Sequence, residues 1–276
     1  MPEITVGKEN STSIHIYYED HGEGKPIVLI HGWPLSGASW EKQIQPLLDA
    51  GRRVITYDRR GFGMSSQPAT GYDYDTFADD LDKLMVHLDL RDAVLAGFSM
   101  GGGEVVRYLG KFGKERVSKA VVLSGVPPFL LKTADNPAGV DPSVFAGIQK
   151  GLREDRPAFL EGFFKDFYNA DAQQGFTISP QAIHASWISA IMASAKATVD
   201  CVEAWGMDFR DDVKRMKLPT LIIQGEKDRI VPIAASGKRM AETIEGCKYV
   251  VIEGAPHGIL WTHAEKVNRE LVSFLR

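Results

Sequence analysis

The stretch GFSMGGG, residues 97–103, sets one serine among four glycines. It follows the apolar run Ala93–Ala96 and precedes a weak helical pattern. Gly97, Ser99 and Gly101 fit the pattern G-x-S-x-G, in which a sharp strand-to-helix turn exposes the serine hydroxyl and the glycines avoid a collision across the turn. The N-terminus of the following helix favours an anion. The stretch therefore predicts a strand, a nucleophilic Ser99 and a helix.

A serine hydroxyl is a weak nucleophile until a base takes its proton, and that base needs an orienting group. In a sheet of this kind the expected chain order is serine, acid and histidine, each placed just after a strand. Asp228 follows the apolar run Thr220–Gln224, and His257 follows the run Tyr249–Ile252. The sequence therefore predicts a triad of Ser99, His257 and Asp228.

Other acidic residues and histidines lie at positions that are less suitable for the acid and base roles. Glu226 lies two residues before Asp228 and could take the acid role instead. We favour Asp228 because it lies deeper in the loop that follows the strand. Asp58 precedes the serine in the chain and is expected to organise a turn instead. Two further histidines belong to helical patterns and are expected to pack or to face solvent: His184 and His263.

Acyl transfer also needs two hydrogen-bond donors for the oxyanion that forms. The first expected donor is the backbone N–H of Met100, directly after the serine. The second should come from the loop after an earlier strand, which here reads His31-Gly32-Trp33-Pro34. We expect the backbone N–H of Trp33, because Pro34 has no N–H to donate. His31 is expected to pack in this turn.

Short apolar runs alternate with helical patterns along the chain. Most of the runs are continuously apolar, which is typical of strands covered on both faces. This alternation predicts an α/β fold with a doubly wound, mainly parallel sheet. Strands are predicted over residues 14–19, 26–30, 53–57, 93–98, 120–123, 220–224 and 249–252. A capping box from Thr262 to Glu265 predicts the start of a C-terminal helix.

The alternation breaks between Ser124 and Thr220. About 90 residues separate the two strands, where a connecting loop has about 2–6. Proline suited to a first helical turn follows at three points of this insert: Asp141-Pro142, Arg156-Pro157 and Ser179-Pro180. We predict a core domain and an inserted helical cap with its return helix, with the core over 1–126 and 215–276 and the cap over 127–214.

Composition and apolar patterning limit which partners and which cellular compartment are expected. The 276 residues are 44% hydrophobic and 25% charged, with a net charge of -4, so no nucleic-acid partner is expected. No apolar stretch approaches the roughly 20 residues that cross a bilayer, and Met1–Thr5 has no apolar signal core. We expect a cytoplasmic protein that does not bind membranes. Cys201 and Cys247 have no motif spacing, so no disulfide framework is predicted.

The chain resembles α/β-hydrolases of the cofactor-free haloperoxidase and aryl esterase group, which includes perhydrolases and γ-lactamases. The resemblance rests on five stretches in the same order: HGWPLSGASW (31–40), YDRRGFGMSS (57–66), GFSMGGGEVVRY (97–108), GEKDRIVP (225–232) and GAPHG (254–258). It implies a serine esterase without metal, haem or other cofactor. It also implies hydrogen peroxide as an alternative to water, giving peracids that oxidise halide, and a possible homo-oligomer.

The cap is expected to supply the substrate pocket. Eight of the 13 phenylalanines lie between residues 129 and 209, and most of them should form the small core that a helical cap needs. We expect Phe163 and Trp205 to contact substrate, together with Ile230, which lies two residues past the acid.

Pro34 is a further candidate substrate contact. Its ring fixes its own φ and biases Trp33 toward an extended conformation. That should fix the direction of the Trp33 carbonyl, which could accept a hydrogen bond from hydrogen peroxide.

Several functions share these features. A γ-lactamase or a carbon–carbon bond hydrolase would use the same triad as an enzyme that cleaves small aryl or alkyl esters. Dehalogenases and epoxide hydrolases of this fold carry a carboxylate at the strand-to-helix turn where this chain has Ser99, so Ser99 argues against both. A ligand receptor of this fold could keep the triad, and repeated turnover of p-nitrophenyl acetate would distinguish it from an enzyme.

Overall fold

The apolar runs of the sequence form a mainly parallel sheet in the computed structural model, which describes residues 1–172 and 178–276. Its strands are β1 (Glu3–Glu9), β2 (Thr12–His21), β3 (Lys25–Ile30), β4 (Arg52–Tyr57), β5 (Ala93–Phe98), β6 (Val117–Leu123), β7 (Thr220–Gly225) and β8 (Lys248–Ile252). Their order is β1-β2-β4-β3-β5-β6-β7-β8. β2 is antiparallel to β1 and β4, and the remaining neighbours are parallel. The predicted α/β fold class is confirmed.

Ten α-helices lie between or after these strands within the described residues. They are α1 (Glu41–Asp49), α2 (Tyr74–His87), α3 (Met100–Phe112), α4 (Pro142–Phe167), α5 (Pro180–Met192), α6 (Ala195–Ala204), α7 (Arg210–Arg215), α8 (Gly237–Thr243), α9 (Ile259–Thr262) and α10 (Ala264–Leu275). Every residue of β5 is buried, because β5 lies between β3 and β6 in the middle of the sheet. The candidate serine thus follows a fully buried central strand.

All seven predicted strands are present, and β1 is the one that the sequence analysis missed. In β1 only Ile4 and Val6 are buried, and the register shifts between Thr5 and Gly7. Two buried residues in a polar stretch are too few for an apolar run to be recognised.

The insert between β6 and β7 contains the helices α4 to α7. Asp141 and Ser179 cap α4 and α5 as predicted, accepting hydrogen bonds from the N–H groups of Ser143 and Ala182. The third predicted start lies inside α4, where Asp155 has φ -153° and ψ 85° and the helix restarts with Arg156-Pro157. Residues 173–177 of the predicted cap lie outside the described residues.

The capping box predicted at Thr262 is wrong. Thr262 ends the short helix α9, and its hydroxyl donates to the carbonyl of Gly258 at 3.1 Å. The following helix α10 begins only at Ala264. The chain after His257 therefore makes a separate helical turn before the C-terminal helix, and a local pattern of four residues does not show that break.

Candidate active site

Ser99 lies at the turn between β5 and α3 with φ 54° and ψ -118°. A positive φ is unfavourable for a serine and costs about 1–3 kcal/mol. Two backbone hydrogen bonds hold the turn: the Ser99 N–H donates to Leu123, and the Gly102 N–H donates to Ser99. Ser99 is only 6% exposed. The strained turn therefore presents the hydroxyl at the carboxyl end of the central strand.

Glycines two residues before and after the serine make this turn possible. A Cβ atom on Gly97 would lie 2.2 Å from the Gly101 carbonyl oxygen, and one on Gly101 would lie 2.3 Å from the Ile30 carbonyl oxygen. Both contacts are with backbone, which cannot move aside. The glycines are therefore required by close backbone approach, as the sequence pattern predicts.

The structure brings together the three residues predicted to form a triad. Ser99 Oγ lies 2.9 Å from His257 Nε2, and His257 Nδ1 lies 2.8 Å from Asp228 Oδ2. The side chains of His257 and Asp228 are fully buried. Because a carboxylate only accepts hydrogen bonds, Nδ1 carries the proton and Nε2 is left to accept one from the serine. This arrangement can remove the proton of Ser99.

Asp228, and not Glu226, is the carboxylate beside the histidine. The second oxygen of Asp228 accepts hydrogen bonds from the N–H groups of Ile230 and Val231 at 2.9 and 2.8 Å. Glu226 is 43% exposed and accepts instead from the Gly254 N–H at 3.1 Å. The two acids of one loop thus have different partners.

The loop after β3 passes directly against the serine. A Cβ atom on Gly32 would lie 3.0 Å from the Cβ of Ser99. The next residue, Trp33, donates from its indole nitrogen to the Thr198 carbonyl at 3.1 Å. The backbone N–H of Trp33 therefore belongs to a segment that is anchored beside the serine.

His31 makes specific hydrogen bonds in this loop, which the expectation of simple packing did not include. Its Nδ1 donates to the Gly32 carbonyl at 2.8 Å, and its Nε2 accepts from the Arg59 N–H at 3.0 Å. Burial, and secondarily the positive charge of Arg59, hold the pKa of His31 well below its usual value. The Gly32 carbonyl and the Trp33 N–H share one peptide plane. A neutral His31 therefore orients the candidate oxyanion donor.

A buried ion pair lies behind His31. Arg59 Nε contacts Glu104 Oε2 of α3 at 2.7 Å, and Arg59 Nη2 donates to the His31 carbonyl at 3.0 Å. Both charged side chains are almost completely buried. Asp58, before Arg59, accepts from the Met64 N–H at 2.7 Å and so organises the turn as predicted. The ion pair was missed because no local pattern joins two residues 45 positions apart.

A cavity of about 450 Å³ opens beside Ser99. Of the four predicted substrate contacts, Phe163, Trp205 and Ile230 line it, and Pro34 is not among the lining residues. The rings of Phe163 and Trp205 stand edge-to-face against Trp33, with centroids 5.1 and 4.9 Å apart. Most of the remaining lining residues are apolar, among them Val126, Leu130, Phe145, Ile148 and Phe159, while Asp166 and Arg229 add two charged side chains. The cavity suits an apolar group attached to the carbonyl that Ser99 would attack.

Other predictions concern metals, membranes and the remaining histidines. Within residues 1–172 and 178–276, no cluster of three or more His, Cys, Asp or Glu side chains could hold a metal ion. In the same part of the chain, no helix has both the length and the apolar character needed to cross a bilayer. His184 is exposed on α5 and stacks on Trp187, and His263 follows α9.

Known proteins with similar sequences share this fold. Residues 25–264 match the model of the alpha/beta hydrolase fold family. A provisionally assigned non-heme chloroperoxidase of Synechocystis sp. is 60% identical over 276 residues, which cover 100% of both chains. The bifunctional esterase/perhydrolase of Acinetobacter calcoaceticus is 36% identical over 95% of this chain and 96% of its own.

A solved structure is also similar over almost the whole chain. The bromoperoxidase from Bacillus anthracis is 47% identical and covers 99% of each chain, with a TM-score of 0.96. The family match and these relatives agree with the resemblance found in the sequence motifs. This chain belongs to the α/β-hydrolase fold family.

Proposed function

We propose that this protein is a serine esterase that cleaves small carboxylic esters through an acyl-enzyme on Ser99. Hydrogen peroxide serves as a second acyl acceptor beside water. The observation that carries the proposal is the continuous chain of short contacts from Ser99 through His257 to Asp228. Similarity to an esterase/perhydrolase and to chloroperoxidases supports both acceptors.

The first half of the reaction forms the acyl-enzyme. His257 Nε2 takes the hydroxyl proton while Ser99 Oγ attacks the ester carbonyl, and Asp228 stabilises the imidazolium that forms. The backbone N–H groups of Trp33 and Met100 stabilise the oxyanion. His257 then returns the proton to the departing alcohol, which leaves the acyl group on Ser99.

The second half transfers the acyl group to an acceptor. Water or hydrogen peroxide loses a proton to His257 Nε2 as its oxygen attacks the acyl carbon, and the proton then passes to Ser99 Oγ. Water yields the carboxylic acid and hydrogen peroxide yields the peracid. The Trp33 carbonyl, whose direction Pro34 fixes, is the proposed acceptor of the second peroxide hydrogen. Released peracid oxidises halide in solution to hypohalous acid and returns the carboxylic acid.

The insert between β6 and β7 is proposed to act as the cap of this site. Residues 127–214 form the cap, and residues 1–126 and 215–276 form the core that carries the triad. Phe163 and Trp205 line the cavity from the cap side, which favours apolar acyl or aryl groups.

Assays with two acyl acceptors test the proposal. The metal-free protein should hydrolyse p-nitrophenyl acetate with repeated turnover. It should also form peracetic acid from acetic acid and hydrogen peroxide, with the hydroxyl of the acid leaving as water when the acyl-enzyme forms. Halide oxidation should require a carboxylate buffer, because the peracid is the oxidant. One slow turnover followed by tight retention of the product would favour a ligand receptor instead, and turnover of lactams alone would favour a γ-lactamase.

Replacing His31 by its two amide analogues should separate activity from stability. His31→Asn keeps a donor near the position of Nδ1 and so preserves the bond to Gly32, whereas His31→Gln keeps only an acceptor near Nε2 for Arg59. We expect His31→Gln to lower kcat by about 10- to 100-fold, less than the 10²–10³ that loss of an oxyanion donor costs. His31→Asn should retain kcat within about threefold.

The free energy of unfolding should rank His31→Asn and His31→Gln in the opposite order to kcat. His31→Asn leaves the buried Arg59 N–H without its acceptor, which costs about 1–3 kcal/mol of unfolding free energy. His31→Gln should lose less. Steady-state kinetics and urea unfolding measure the two quantities, and equal loss of kcat in both variants would contradict a role in orienting the Trp33 N–H.

A further inference from the structure

The end of helix α4 contacts the loop that carries the histidine. The Gly258 N–H, directly after His257, donates to the carbonyl of Phe167 at 2.9 Å. The Phe167 ring stands edge-to-face against the His257 ring, with centroids 4.9 Å apart. Phe167 is the last residue of α4, and both side chains are buried. The position of His257 therefore depends on a helix of the insert as well as on the sheet.

The same helix end also contacts the loop that carries the acid. Asn169, two residues past α4, donates from Nδ2 to the carbonyl of Lys227 at 2.9 Å. The Lys227 carbonyl and the Asp228 N–H belong to one planar peptide unit. A bond to that carbonyl therefore restrains the peptide plane from which the Asp228 side chain projects.

The helix ending alone does not require the Asn169 side chain. Asn169 has φ 48°, and the Ala170 N–H donates back to Lys165 at 2.8 Å, an ending at which glycine is the usual residue. Asn169 is only 1% exposed, and its Oδ1 is buried without a hydrogen-bond partner among the described residues. A buried unpaired amide oxygen is unfavourable, and glycine would avoid that cost. The bond to Lys227 is the contact that accounts for an asparagine here.

We propose that Asn169 is a positioning residue that aligns Asp228 with His257, so that the insert sets the geometry of the acid–base pair. The proposal rests on the proposed esterase function for its kinetic consequence. Exposed ion pairs of Arg229 with Asp166 and Asp171 join the same segments at 3.5 and 2.7 Å. Such exposed pairs contribute little, so the buried amide is the contact to test.

Two variants of Asn169 remove the donor in different ways. Asn169→Gly keeps the left-handed backbone and deletes the amide, while Asn169→Asp keeps the shape and replaces the donor by an acceptor. We expect both to lower kcat for p-nitrophenyl acetate by about 10- to 100-fold, the effect of misplacing a reacting group by about 1 Å. KM should stay within about twofold, because Asn169 does not line the cavity. Asn10→Gly, at an exposed turn with φ 53°, is the matched control and should keep full activity.

A second readout does not depend on turnover. The low-field proton resonance of the hydrogen bond between His257 Nδ1 and Asp228 should broaden or disappear in both Asn169 variants and persist in Asn10→Gly. Normal kcat with an intact resonance in either Asn169 variant would overturn the proposal. A loss of kcat that is fully explained by the fraction of unfolded protein in thermal melts would also overturn the proposal. If Ser99→Ala kept its turnover, the esterase proposal would fail, while the resonance would still decide whether Asn169 positions Asp228.

Discussion

Ser99→Ala and His257→Ala are each expected to lower kcat for ester hydrolysis by about 10⁴- to 10⁶-fold. The serine supplies the atom that bonds to the acyl group, and the histidine, 2.9 Å away, takes its proton. Because the two act in the same step, the double variant should be little worse than either single variant. Steady-state kinetics and circular dichroism of the three variants test this expectation, with His184→Ala as the control for an exposed histidine.

A glycine variant separates lost chemistry from lost folding. Ser99 has a positive φ, which glycine tolerates without strain. Ser99→Gly should therefore be inactive and yet more stable than the parent by about 1–2 kcal/mol, because relief of the strain, about 1–3 kcal/mol, exceeds the entropic cost of glycine, about 0.5–1 kcal/mol. Ser99→Ala keeps the strain. Near-normal turnover in a clean preparation of either Ser99 variant would refute the acyl-enzyme mechanism. Peracid formation should disappear together with ester hydrolysis, because both require the same acyl-enzyme.

The candidate triad could be predicted from the sequence because each member follows a strand. Parallel strands bring their carboxyl ends to one edge of the sheet, so residues just past β5, β7 and β8 meet there. Gly97 and Gly101, two residues before and after Ser99, add a local pattern that can be recognised in the sequence. The prediction of the triad depended mainly on locating the strands, and continuous apolar runs identify buried parallel strands.

The residues that support the triad could not be predicted in the same way. His31 orients a peptide through a bond to its own neighbour, but its second partner, Arg59, is 28 positions away. Asn169 reaches Lys227 across 58 positions. The His31 contact follows from packing within the core and the Asn169 contact from packing of the insert on the core, and neither periodicity nor spacing encodes such packing. The same limit explains why Pro34 was expected to line the cavity that the structure forms without it.

Asp228→Asn is expected to lower kcat by about 10⁴-fold, while Glu226→Gln should change it less than about threefold. These acids lie two residues apart in one loop, so the pair is matched for its position along the chain. Glu226 is half exposed and accepts from the Gly254 N–H, so its amide can keep that bond.

The large effect at position 228 follows from the two oxygens of Asp228. One accepts from the Ile230 and Val231 N–H groups, so the oxygen of an asparagine amide should take that place. Its NH₂ group then faces His257 Nδ1, which must become the acceptor and lose its proton. The proton moves to Nε2, which can no longer accept the proton of Ser99. Thermal melting should show a folded protein, and the reverse ranking of the two variants in kcat would assign the acid to Glu226.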